Sequence, residues 1–257
     1  MSEIALEIAV QDLAGVRIAA TAGVDRVELC GALALAGLTP SLGMIEAAVE
    51  AAAQPAAGQA SSPTPEPSFV HVLVRPRPGG FVYDAHELQV AVRDVRAVRR
   101  AGAAGVVIGA LTRNGEVDVP ALRQLQDAAE GLPITFHRAF DIVPRPAEAL
   151  DVLIDWGVAR VLTSGQAKRT VDGLAALEAL VSASAGRIEI MAGGGVRVED
   201  IPALAAVGVD AIHLSARRAA MEATESGPGG GAAGYDVTDE GIVAAALVAA
   251  RAQQSHR

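Results

Sequence analysis

The stretch Ile188 to Arg218, "IEIMAGGGVRVEDIPALAAVGVDAIHLSARR", decides how the chain folds. It opens on a short apolar run ending in three glycines. It then passes through an Ala/Leu-rich segment of helical period that closes on Gly208, and returns to a β-branched run, "AIHLSAR" from Ala211. Strand, helix, strand in that order is the unit of a parallel sheet, because parallel strands need a crossover that packs back on the sheet. The unit recurs along the chain. Strand-like runs stand at "IALEIAV" from Ile4, "RVELC" from Arg26, "FVHVLVRP" from Phe69, "GVVIG" from Gly105, "PITFHRAF" from Pro133 and "RVLTSG" from Arg160, which with the two above makes eight. Helical segments separate them: Asp12 to Ala22, Ser41 to Ala53, Ala85 to Ala101, Val119 to Ala129, Pro146 to Trp156, Val171 to Ser184 and Val198 to Ala206. Several open on a capping residue or Pro, among them Asp12, Ser41, Asp84 and Pro146, and several close on Gly, at Gly23, Gly102, Gly157 and Gly208. The pattern predicts an α/β chain folded as a (β/α)8 TIM barrel, a single domain over residues 1–257 with a C-terminal helix from Asp239 to Gln253. An open doubly wound sheet is the alternative.

Two segments break the rhythm. Residues 54–68, "QPAAGQASSPTPEPS", carry too few apolar residues to pack and too many prolines for helix or strand, and predict a flexible linker between helix two and strand three. Residues 222–235 read as a loose loop after strand eight.

Composition narrows the function classes. A 51% hydrophobic content and a mean hydropathy of +0.34 allow a substantial core, and a net charge of −9 without a basic tract excludes an electrostatic footprint for nucleic acid. Aromatic content of 3% leaves little for base stacking. No run has the length of a membrane span, and the start "MSEIALEIAV" lacks the basic and apolar regions of a signal peptide, so a cytoplasmic chain is expected. One cysteine, Cys30, excludes an internal disulfide and any multi-cysteine metal site within one chain.

Side chains alternate along a strand, and in a barrel the outward set packs on the helices. If Ile4, Leu6, Ile8 and Val10 face the helices, Glu7 points inward. The same parity sends Glu28 and Cys30, His71 and Arg75, Thr135 and His137, Glu189 and Met191, and His213, Ser215 and Arg217 inside. Buried charges must pair or bind something, so His71 and Glu189 are expected in a structural ion-pair layer. Groups at the strand ends stand where barrels build their sites.

Two readings of that rim follow. Arg75, Arg77, Arg138 and Arg217 would clamp a small anionic, perhaps phosphorylated, metabolite, since guanidinium forks match carboxylate and phosphate. The turns Gly193-Gly194-Gly195 and Thr163-Ser164-Gly165 would hold phosphate, with His213 and Ser215 beside them. His137 would act as general acid/base, oriented by Asp141 or Glu28. Glu7, Glu28 and His137 could also converge on a divalent metal ion. Whether such a chain is an enzyme or a binding protein stays open.

The motifs "RVELC" with "GLTPSLG", "RPRPGGFVYD", "GVVIGALTRNGEVD", "LPITFHRAFD", "RVLTSGQ", "IMAGGGV" and "HLSARR" together resemble the CutC family, from about Leu6 to Arg218. The resemblance implies a (β/α)8 barrel, a cytoplasmic homo-oligomer (dimer or tetramer) and a role in copper homeostasis. It also implies copper as cofactor, with Cu(I) held by two cysteines near the ends of strands one and two. Here Cys30 stands at the second position and Ala9 at the first, so a cuprous site would need His137 or another subunit. Leu35 replaces the family's acidic residue and Ala36 its glycine, and "RPRPGG", Arg75 to Gly80, lacks the motif's aspartate.

Overall fold

The computed structural model describes residues 4–53, 69–221 and 234–253. Eight parallel strands, β1 (Ala5–Val10), β2 (Arg26–Leu29), β3 (Val70–Leu73), β4 (Gly105–Ile108), β5 (Ile134–Phe136), β6 (Arg160–Thr163), β7 (Glu189–Gly193) and β8 (Ala211–Leu214), close into a barrel in chain order. The ring shuts where β8 pairs with β1, Glu7 opposite His213. Around it lie α1 (Leu13–Ala22), α2 (Leu42–Ala52), α3 (Ala85–Arg100), α4 (Val119–Ala129), α5 (Pro146–Asp155), α6 (Leu174–Ser184), α7 (Ile201–Ala206) and α8 (Glu240–Ala252).

Local signals start most helices. Asp12, Ser41, Asp118 and Asp239 each accept the amide of a first-turn residue, and Asp84 with Glu87 closes a full capping box on α3. Leu6, Ile8 and Val10 are buried outward against buried helix faces such as Val16 and Ala19, Ile45 and Ala48, and Val95 and Val98.

The ends of several elements differ from the sequence reading. The fifth strand stops at Phe136; His137 caps a 3-10 turn, Arg138–Ile142, that carries the chain across the barrel mouth. The eighth stops at Leu214, and Arg217 begins a further strand, β9 (Arg217–Met221), paired antiparallel with β10 (Gly234–Thr238). Gly234 and Tyr235, expected in a loose loop, are therefore in a strand; the rest of that loop and the expected linker 54–68 lie outside the described residues. The seventh helix is only six residues long, preceded by a 3-10 turn at Val198–Asp200.

The barrel interior is ionic. Glu7 is fully buried and accepts from Arg26 Nε at 3.2 Å and from His213 Nδ1 at 2.8 Å. Arg26 reaches on to Glu189 at 2.5 Å, Glu189 accepts from Arg160 at 3.2 Å, and Arg160 donates to Thr135 at 3.1 Å beside His71 Nδ1 at 3.4 Å. The expected layer is present, with Arg26 and Arg160 as its cations. Burial alone would raise the Glu7 carboxyl; the His213 hydrogen bond and the charges of His213, Arg26 and His71 outweigh it and hold it at about 2. Burial lowers His71 to about 4, so this ring is charged only in acid and is neutral beside two guanidiniums at neutral pH.

Room for the imidazoles comes from β4 and the residue after it. A Cβ on Gly105 would stand 2.4 Å from His71 Nδ1 and 2.9 Å from the Pro133 carbonyl, and one on Gly109 would stand 2.4 Å from the His137 ring. Gly105→Ala should therefore cost about 1–3 kcal/mol in chemical denaturation, as overpacked cores do. Glu7→Gln should cost about 3–5 kcal/mol because it removes the buried charge that Arg26 Nε and His213 Nδ1 share. Glu7 is held below its ordinary 4.5, so its stabilisation is complete above that pH and lost as pH falls toward about 2. The variant's stability should accordingly fall less steeply than the parent's over that interval.

Candidate functional site

A pocket of about 930 Å³ opens at the C-terminal ends of the strands. Its wall takes Glu28 from β2, Arg75 and Phe81 after β3, His137, Arg138 and Asp141 after β5, Gly194 and Gly195 after β7, and His213, Ser215 and Arg217 from β8 onward. Segments far apart in sequence converge here because every parallel strand points its C-terminal end to the same rim.

The pocket's two carboxylates live in opposite environments. Asp141 accepts from Thr163 Oγ1 at 2.5 Å, the Ser164 amide at 2.9 Å, the Gln166 amide at 3.3 Å and Arg138 Nε at 2.7 Å. Glu28 accepts no hydrogen bond from any described residue; its nearest partner is His213 Nε2 at 3.9 Å. Burial pushes Glu28 up to about 7, partly offset by the charge of His213.

The two histidines also differ. Glu7 accepts a hydrogen bond from His213 Nδ1, which leaves Nε2 facing Glu28. Burial disfavours charge on His213, but Glu28 and Glu7 overcome it and raise its pKa. In His137 the polarity is reversed: Nδ1 accepts the Ala139 amide at 3.1 Å, so the ring's proton sits on Nε2, which is buried without a partner. Burial, then the charge of Arg75, lowers His137 to about 3. His137, expected as a general acid/base, is thus a neutral ring whose Nδ1 is taken by a backbone amide, and neither Asp141 nor Glu28 bonds to it.

Arg75 is the cation that stands apart. Only 6% exposed, it donates from its terminal nitrogens to the carbonyls of Leu35, Ala36, Gly37 and Gly79, and no carboxylate pairs with it among the described residues. Its Nε is buried without an acceptor. The guanidinium lies 5.3 Å from the centre of the Phe81 ring, which packs on His137 at 4.8 Å. It also braces a turn in which Ala36, standing where the resemblance expects glycine, has φ +63°. The other rim arginines have counter-ions: Arg138 has Asp141, Arg169 has Asp200 and Arg217 has Asp236 at 2.7 Å.

Other expected roles meet obstacles. Arg77 is outside the pocket, bonded to Glu87 and to the carbonyls of Gly80 and Val82 near the start of α3. The Thr163-Ser164-Gly165 turn binds an anion, but that anion is Asp141. The Arg138 guanidinium packs on Gly194, 2.8 Å from where a Cβ would stand, and the 3-10 turn before α7 has its Arg197 amide capped by Asp200. Gly193 packs inside against Leu162 and His213.

For metal, the described residues that come together as a group of three or more are Glu7, Glu28 and His213, with His213 rather than His137 beside the two glutamates. Cys30 is fully buried against Leu73 and Val107, donates to the Val10 carbonyl at 3.6 Å, and is pushed far above the usual thiol range, first by burial and then by Glu28. A lone protonated thiol does not fit a cuprous ion. Sequence parity found Glu28 and His213 but not their division of labour, which only the Glu7 contact reveals.

Among the described residues no helix is long and apolar enough to cross a membrane. The CutC family profile matches residues 4–218. The family protein CutC of Caulobacter vibrioides (strain NA1000 / CB15N) is 47% identical over 77% of this chain and 75% of its own length, and that of Histophilus somni (strain 2336) is 41% identical over 82% of each. The solved CutC structure from Streptococcus agalactiae superposes with a TM-score of 0.74 at 33% identity, covering 82% of this chain and 97% of that one. A thiamine phosphate pyrophosphorylase from Pyrococcus furiosus, at 12% identity and a TM-score of 0.56, shares the fold alone. By profile, by identity and by structure, the chain belongs to the CutC family.

Proposed function

We propose that the barrel mouth binds a small anionic metabolite, a carboxylate or a phosphate ester. The observation that carries this is Arg75: a buried guanidinium without a carboxylate, its Nε unsatisfied, beside the equally unsatisfied Nε2–H of His137. Leaving such groups unpaired costs several kcal/mol, and an anion seated between them removes that cost. Arg138 and Arg217, already paired, would shape the rim and strengthen long-range attraction. The 930 Å³ volume suits a ligand of metabolite size.

The second reading is the copper role for which the S. agalactiae protein is named. What favours it here is the cluster of Glu7, Glu28 and His213, an oxygen and nitrogen donor set that suits Cu(II) or zinc better than Cu(I). Family resemblance supports a cytoplasmic, homo-oligomeric protein under either reading.

Titrating the protein with inorganic phosphate and with pyruvate, followed by 1H–15N NMR, should shift Arg75 and His137 signals. Arg75→Gln should weaken binding at least about tenfold, as loss of a charged hydrogen-bonding partner does; unchanged affinity would refute the proposal. Cu(I) titration in the presence of a chelator should give the same sub-stoichiometric uptake for the parent and for Cys30→Ser. Stoichiometric binding lost in the variant would restore the thiol site.

A further inference from the structure

The rim carries two carboxylates and two imidazoles, and in each pair one member is fully committed while the other is not. Asp141 is held by four donors, and Glu28 by none among the described residues. His213 donates its Nδ1–H to Glu7 and turns Nε2 toward Glu28; His137, in the pocket wall, accepts a backbone amide at Nδ1 and keeps a buried Nε2–H without a partner. Glu28 and His137 come from β2 and from the end of β5, well separated around the ring, so a ligand in the pocket lies between them. One wall can take a proton, and the other can stabilise a negative oxygen.

We infer that this site catalyses proton transfer at a carbon next to a carbonyl, with Glu28 taking the proton and His137 Nε2–H holding the oxygen. The inference rests on the anion-binding reading, since Arg75 would anchor the ligand's carboxylate or phosphate. In the step the C–H bond breaks and the proton goes to a Glu28 carboxylate oxygen. The electron pair left behind forms a C=C bond while the carbonyl π pair moves onto oxygen. The resulting enolate oxygen accepts a hydrogen bond from His137, whose proton stays on nitrogen. Return of a proton from Glu28 to the same carbon closes the cycle, with no oxidant, reductant or cofactor consumed. A neutral imidazole suits the second role, because its proton is not lost to the oxygen it serves. Glu7 acts as a positioning residue: it fixes the His213 tautomer, so that His213 Nε2 can share the Glu28 proton and pass it to solvent. The charged groups facing Glu28 are His213 from β8 and Glu7 from β1, with the neutral Cys30 two residues along its own chain.

The experiment is deuterium wash-in from D2O into the methyl protons of pyruvate and the C–H protons of dihydroxyacetone phosphate, read by 1H NMR with the full chain. Exchange above buffer is expected with at least one probe. Glu28→Gln should slow it by at least about 10²-fold, and His137→Asn by about 10²- to 10³-fold. If Glu28→Gln fails to fold by circular dichroism, Glu28→Asp, which withdraws the carboxylate by one methylene, should give a comparable loss. Binding of both probes without exchange overturns the inference and leaves the anion pocket standing; binding of neither overturns both. A folded Glu28→Gln protein exchanging at the parent rate also overturns it.

Discussion

Glu7 sits fully buried in the barrel with a guanidinium on one side and an imidazole on the other. A carboxylate in that position tolerates ionisation only because both neighbours donate to it, and each neighbour depends on it in turn. From this contact the polar interior extends both ways: downward through Arg26, Glu189 and Arg160, and upward through His213 to Glu28 at the mouth. The lower arm is satisfied throughout and holds strands β1, β2, β6 and β7 by charge as well as by their backbone ladders. The upper arm ends on a group with no donor. That difference between two ends of one chain of contacts separates structure from site in this molecule.

The barrel was legible in the sequence because its signals are local and repeated. Period-two alternation in the "IALEIAV" run fixed which way Glu7 points, and capping residues such as Asp12 and Asp84 marked where helices begin. Strand-like composition continues past the last ladder bond in β5 and β8. Phe136 ends β5 because His137 turns its own Nδ1 back onto the Ala139 amide, a competition between side chain and backbone that composition does not display. Arg217 was expected inside a barrel strand but starts the hairpin with β10, where Asp236 holds it.

The site was legible as a set of residues and illegible as a division of roles. Parity placed Glu28, His137 and His213 at one rim, yet which imidazole carries its proton toward the ligand depends on Glu7 and Ala139, partners separated from them by 206 residues in one case and two in the other. Arg75 and Arg77 look interchangeable in "RPRPGG", but Glu87 claims the second and leaves the first with carbonyls only. The glycine-rich corner after β7 is shared with barrels that hold phosphate; here a short α7 and the Arg138 side chain change what that corner can accept.

Asp141 occupies the turn after β6 with a carboxylate carried on the chain itself. A tethered ion competes at an effective concentration of roughly millimolar or higher, far above what free metabolites of low abundance can match. That corner is in effect permanently self-inhibited, so the anion ligand proposed above would have to be held by Arg75 rather than by this turn.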